Sequence, residues 1–148
     1  MENLASENAN NTKVDNIEEP KEKTLKKNLL LGVTGSVATI KLCVILDLLI
    51  EYKKYNIKVM LSQRALSFSD ITEIKPKYAP YGIEFYTDED EWGVWKKKGD
   101  PVIHINLRRW ADILVIAPLS ANTLAKIAGG LCDNLIVKKI RDFFLFKY

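Results

Sequence analysis

The residues able to do chemistry in this 148-residue chain gather between positions 100 and 123, DPVIHINLRRWADILVIAPLSANT. His104, the single histidine, carries a side chain that ordinarily titrates near neutral pH, which suits it to take a proton from a substrate. Further along, Ser120, Ala121, Asn122 and Thr123 follow directly on an apolar segment, 113–117. Ligands of open parallel α/β sheets sit at the carboxyl ends of strands, so polar groups massed at a strand-to-helix junction mark a candidate site. Arg108 and Arg109 are placed either to touch an acidic substrate or to pair with acids at a subunit interface.

Two upstream junctions have the same character. Leu29-Leu30-Leu31-Gly32-Val33 reads as a strand covered on both faces, and Thr34-Gly35-Ser36-Val37-Ala38 follows as a turn into a helix. A glycine there permits close backbone approach, and the N–H groups of a first helical turn attract an anion, so the natural guest is a phosphate. The order Gly32-x-x-Gly35 lacks the G-x-G-x-x-G arrangement of dinucleotide sites. The second apolar run, 57–61, ends in Ser62-Gln63-Arg64 instead of the acid that would hold the ribose of NAD. A mononucleotide phosphate is the better match, while Arg64 leaves the extra phosphate of NADP open.

These junctions need a scaffold, and the rest of the chain supplies one. Residues 37–55 predict a helix apolar on most of its surface, packed between the sheet and its neighbours. Residues 65–80 predict a short helix and loop, stopped by Pro76 and Pro80, forming a flap over the pocket. Residues 83–86 alternate as a third strand. Thr87-Asp88 can cap a helical turn whose Trp92 and Trp95 read as packing residues, and Asp133-Asn134 read as a cap for a last helix, 135–141. Residues 1–27 are polar and predict a disordered tail, with the ordered domain at 28–148. The expected class is α/β, a three-layer Rossmann-like or flavodoxin-like single domain on a mostly parallel sheet.

Composition narrows the function classes. A 47% hydrophobic content supports one globular domain, and a net charge of +3 provides no electrostatic footprint for nucleic acid or an anionic membrane. The run Lys96-Lys97-Lys98 follows the acidic stretch 88–91, which offsets it, and reads as a surface loop. Two cysteines make no disulfide framework, Cys43 reading as a small buried hydrophobe. Neither a signal pattern nor a membrane-length apolar run is present, so the expectation is a cytoplasmic protein without nucleic-acid or membrane partners. No metal-ligand set is read.

Several segments together carry a resemblance: GSVA at 35–38, DEW at 90–92, DPVIHI at 100–105, LRRWAD at 107–112, APLSANTL at 117–124 and CDNL at 132–135. Over residues 28–141 the chain resembles the FMN-dependent Cys-decarboxylase flavoproteins, most closely the branch acting on phosphopantothenoylcysteine in coenzyme A biosynthesis. The resemblance implies FMN as cofactor, with Gly35, Ser36 and Val37 at its phosphate and Ser62, Gln63 and Arg64 adding contacts. It implies Ser120, Ala121, Asn122 and Thr123 at the ribityl chain and ring, and His104 as the catalytic base. The implied reaction oxidises the cysteinyl thiol to a thioaldehyde, which accepts the electrons left as carbon dioxide departs; reduction of the resulting enethiol yields phosphopantetheine. The implied assembly is a trimer with FMN near subunit boundaries.

The resemblance also implies features beyond those segments: a Pro-Ala-Met-Asn motif whose Asn grips the substrate carboxylate, and a flap cysteine that donates a proton. Residues 142–148, DFFLFKY, contain neither, and neither Cys43 nor Cys132 stands where the donor belongs. The expectation is therefore a domain lacking its C-terminal part, with an unpaired sheet edge and Phe143–Phe146 as the start of a further strand. Two readings stay open: a decarboxylase, or a non-catalytic or half-site FMN-binding subunit of a hetero-oligomeric or regulatory complex.

Overall fold

The first apolar run forms strand β1 (Lys27–Val33) and lies inside a four-stranded sheet of order β3-β2-β1-β4, with β2 at Tyr55–Leu61, β3 at Glu84–Thr87 and β4 at Ile113–Ile116. Every pairing is parallel; Leu31, for example, stands opposite Val59 on one side and Val115 on the other. The computed structural model describes residues 25–94 and 102–146. Of the expected tail, residues 1–24 lie outside the described residues, as do Trp95, the Lys96–Lys98 run, Asp100 and Pro101, while Lys27, expected in the tail, already belongs to β1.

Strand side chains alternate between two cores, which is why the strands are apolar at nearly every position. Leu29, Leu31 and Val33 join Ile57, Val59, Leu61 and Phe85 beneath helices α1 (Leu42–Tyr52) and α2 (Ile71–Tyr78), meeting Leu42, Leu46 and Tyr78. On the other face, Leu30 and Met60 meet Leu107, Leu135, Ile136 and Ile140. Those residues belong to α4 (Ile103–Trp110) and α6 (Leu135–Phe146), while α3 (Asp88–Val94) and α5 (Ala121–Ala128) stand at the carboxyl ends of β3 and β4. The result is a three-layer, all-parallel Rossmann-like α/β fold. β4 is an edge strand among the described residues, and Val115 is exposed on it.

Four expectations are corrected. The helix expected at 37–55 is a 3-10 turn, Val37–Lys41, followed by α1; it ends where Lys53 adopts a left-handed conformation with φ 54°, and β2 starts at Tyr55 to pair with Lys27. Its apolar surface is not enclosed: Val37, Ile40, Val44 and Leu48 are exposed, because only the Leu42 and Leu46 side reaches the sheet. Pro76 lies inside α2 instead of ending it; the position is exposed, and its ring removes only the one N–H that would face the Thr72 carbonyl. Phe143–Phe146 continue α6 instead of starting a strand, since Leu135, Ile136, Ile140 and Phe143 recur at helical spacing along the lower core.

Two polar attachments fix the ends of the sheet. At the amino ends, Asn28 donates through its backbone N–H to Asp112 at 2.8 Å and through Nδ2 to the Trp110 carbonyl at 2.9 Å, so these LRRWAD residues anchor β4 to β1. At the carboxyl ends, the fully buried Thr34 hydroxyl donates to the Pro118 carbonyl at 2.7 Å and accepts from the Ser120 N–H at 2.7 Å. The Thr34 backbone N–H also donates to Pro118, at 3.2 Å, and the Thr34 carbonyl accepts from the Thr39 hydroxyl at 2.8 Å. One residue thereby ties the segment after β4 to the turn after β1.

Replacing Thr34 with valine keeps the shape but strips the Ser120 N–H of its acceptor. A loss of about 1–3 kcal/mol is expected, read as a lower urea midpoint at unchanged slope. A second prediction concerns pH. The Tyr86 hydroxyl donates to Glu84, and with Lys58 at 3.3 Å it holds this carboxyl below its usual range despite partial burial. A depressed folded-state value gives stability that is complete above the unfolded carboxylate value and lost as pH falls through the folded one. The stability gap between the parent and Glu84→Gln should therefore be present at neutral pH and close in acid, in parallel urea titrations.

Candidate functional site

The carboxyl ends of β1, β2 and β4 open into one cleft of about 690 Å³. Gly35, Ser62, Gln63, Arg64, Ser120, Asn122 and Thr123 line it, so seven of the expected cofactor residues converge although they come from three separate junctions. Each is placed by local structure. Ser62 is held by its N–H to the Val33 carbonyl at 3.0 Å and by its hydroxyl, which accepts from the Ala65 N–H at 3.3 Å. Ser120 caps α5, its hydroxyl accepting from the Thr123 N–H at 3.2 Å while also lying 3.0 Å from the Thr123 hydroxyl.

Gly35 is required for spatial reasons. A Cβ there would fall 2.4 Å from Arg64 Cβ and 3.1 Å from the Arg64 carbonyl carbon, so the β1 and β2 turns touch only because position 35 has no side chain. That contact puts the exposed Arg64 beside the Gly35 backbone at the cleft wall. Among the described residues Arg64 makes no ion pair. A guanidinium beside a glycine turn, facing hydroxyls and an amide across the cleft, suits a ligand with a phosphate at one end and neutral hydrogen-bonding groups along its length.

Three expected contacts do not line the cleft. Ser36 caps the 3-10 turn, its hydroxyl accepting from the Ala38 N–H at 3.3 Å. Val37 is 68% exposed, and Ala121 is exposed on the first turn of α5. The phosphate-facing helix start expected at residue 37 is the short 3-10 turn, so Arg64 and the start of α5 are the cationic and dipolar features at the cleft. Residues 65–80 contribute only Ser67 and Phe68 to the wall; the rest of that expected flap packs as α2 on the upper core.

Other lining residues were not read as part of the cleft, Asp88, Asp133 and Asn134 being expected only as helix caps. Asp88 stands at the rim and accepts the Leu135 N–H at 2.7 Å, joining the end of β3 to the start of α6. Lys126 and Asp133, both at the wall, pair with each other, and Asn134 accepts the Val137 N–H at 3.1 Å as the expected cap of α6. Pairings across 7 and 47 positions leave no periodic signal.

His104 is not at this cleft. It occupies the first turn of α4, where its Nδ1 lies 2.6 Å from Glu91 Oε1 of α3 and its Nε2 lies 3.9 Å from Asp142 Oδ2 of α6. Lys138 Nζ approaches the same Glu91 oxygen at 3.8 Å, and the fully buried Lys139 donates to the His104 carbonyl at 3.2 Å. The imidazole remains 23% exposed. The chain thus presents a ligand cleft and a separate histidine cluster. Arg108 and Arg109 sit in the last turn of α4. Among the described residues no group of acidic, histidine and cysteine side chains could hold a metal, and no helix is long and apolar enough to cross a membrane.

The chain is similar to several known proteins. A probable phosphopantothenoylcysteine decarboxylase of Arabidopsis thaliana is 52% identical over 118 residues, spanning 80% of this chain and 55% of the relative. Phosphopantothenoylcysteine decarboxylase of Mus musculus is 44% identical over 122 residues, spanning 82% of this chain and 56% of that one. The chain therefore spans about half the length of the curated relatives it matches. Among solved structures, a mutant PPC decarboxylase complexed with pantothenoylaminoethenethiol superimposes with TM-score 0.71 at 49% identity, covering 80% of this chain and 62% of that one. The FMN binding protein AtHal3 superimposes with TM-score 0.70 at 50% identity, covering 79% and 60%. The profile of the Flavoprotein family matches residues 17–147. The chain belongs to the flavoprotein family.

Proposed function

We propose that the cleft binds FMN and that the chain acts in the decarboxylation of phosphopantothenoylcysteine, with His104 as the base. The observation that carries this reading is the convergence of Gly35, Ser62, Arg64, Ser120, Asn122 and Thr123 on one cleft in a chain 44–52% identical to named decarboxylases of that substrate. The close approach of Gly35 to Arg64 fits a phosphate there, and the Ser120–Thr123 segment fits the polar remainder of the cofactor. When bound, FMN supplies the two-electron oxidation that makes loss of carbon dioxide feasible. The protein's own part is to hold the cofactor, to exclude water from the cleft, and to take a proton at the His104 imidazole.

The position of His104 outside the cleft of its own chain supports an oligomer in which His104 of one copy completes the cleft of another. A homo- or hetero-trimer satisfies that requirement. The same observation favours a second reading, a half-site subunit that binds FMN and turns over substrate only beside a partner. A cytoplasmic setting belongs to both readings.

Titration of the purified chain with FMN should quench flavin fluorescence and restore a flavoprotein absorption spectrum. Gly35→Ala, which forces the two turns apart, should weaken binding about tenfold or more, a change of roughly 1.4 kcal/mol per factor of ten. His104→Ala should leave FMN binding intact and lower turnover of phosphopantothenoylcysteine by about 10²–10⁴-fold. A chain that never takes up FMN would remove the cofactor assignment. Turnover by the chain alone, set against its native mass, separates the enzyme from the half-site subunit.

A further inference from the structure

We propose that Glu91 is the positioning residue for His104, holding the imidazole in the Nδ1–H tautomer and in one orientation so that Nε2 is the nitrogen that accepts the proton. The purpose assigned to the pair rests on the reading of His104 as the base. The pairing itself stands on geometry.

Glu91 is 7% exposed, so its carboxylate is cut off from most of the water that would otherwise solvate it. The Lys138 ammonium lies 3.8 Å from Glu91 Oε1, too far for a direct hydrogen bond, whereas His104 Nδ1 lies at 2.6 Å. A carboxylate can only accept, so this contact requires the hydrogen on Nδ1. In the neutral ring the other nitrogen then carries the lone pair.

The surroundings leave that lone pair usable. Among the described residues the nearest acidic oxygen to Nε2 is Asp142 Oδ2 at 3.9 Å, beyond hydrogen-bond reach, and the side chain remains 23% exposed. The ring is also anchored from behind, because the fully buried Lys139 donates to the His104 backbone carbonyl. When Nε2 takes a proton, the ring lies between Glu91 and Asp142. Asp142 cannot substitute for Glu91 as the orienting group at its present distance.

His104 is the single histidine, so a two-bond ¹H–¹⁵N spectrum of the histidine-labelled full chain contains one imidazole spin system. At alkaline pH the parent should show a pyrrole-type resonance at Nδ1 and a pyridine-type resonance at Nε2. Glu91→Ala should reverse the two assignments, since a free imidazole favours hydrogen on Nε2. Glu91→Gln, which retains an oxygen acceptor of the same reach, should keep the parent pattern. An Nε2–H pattern in the parent, or no change in Glu91→Ala, overturns the proposal; the parent spectrum decides it even where the alanine variant does not fold. A His104→Ala chain that turns over phosphopantothenoylcysteine as fast as the parent would instead remove the base reading, leaving the tautomer result in place. The two failures are thus told apart.

Discussion

The cleft depends on the buried hydroxyl of Thr34. Three strands end side by side: paired residues stop at Val33, Leu61 and Ile116, and the backbone bonds run one residue further, from the Ser62 N–H to Val33 and from the Ala117 N–H to Gly32. What continues the order is a set of hydrogen bonds in which Thr34 uses its N–H, its hydroxyl and its carbonyl at once, reaching Pro118, Ser120 and Thr39. The hydroxyl is both donor and acceptor, a role open to no apolar side chain of the same shape. Ser120 is thereby placed to cap α5, and the cap directs Asn122 and Thr123 into the cleft.

On the other wall the constraint is steric. The absence of a side chain at Gly35 lets the first turn lie against Arg64, and the Ser62 N–H closes the β2 turn onto the Val33 carbonyl. Attraction on one side and permitted contact on the other bring three distant stretches of chain within one ligand's length. The core supplies the rigidity behind both: Leu30, Leu31, Val33, Val59, Met60 and Leu61 are almost wholly buried, and full burial of such side chains contributes roughly 1.5–3 kcal/mol each.

Much of this was legible because it is local. The strand runs 29–33 and 113–117, the Gly35 turn and the Ser120 junction each carry their signal within a few residues, and the open-sheet rule places their polar ends together. What was not legible depends on distance. Nothing in the sequence tells that Asp88 would hold the start of α6, that Glu91 would face His104, or that Trp110 and Asp112 would serve the amino ends of the sheet. The apolar stretch at 37–50 gave the wrong surface, since a helix with apolar residues on several sides looks enclosed whether or not a neighbour covers Val37, Ile40, Val44 and Leu48. The 3-10 start opens on a Ser36–Thr39 capping box, a signal that in the sequence marks only the start of a helix.

The last helix shows how far the histidine cluster governs local sequence. α6 buries Leu135, Ile136, Val137 and Ile140 as an ordinary core helix, yet Lys139 and Asp142 are equally buried and Lys138 is half-buried. Burying charges gains little net stability even when they are paired, and removing one partner costs several kcal/mol because the other is left behind. Apolar residues at those positions would satisfy packing alone. The charged ones meet a need set by α3 and α4: Lys138 lies near Glu91, Lys139 holds the His104 carbonyl, and Asp142 faces Nε2. Two consecutive helices and the last one therefore carry one polar cluster through the lower core, and its common member is the only histidine of the sequence. Apolar side chains would build a drier core there, and the charged residues instead surround a partly exposed imidazole.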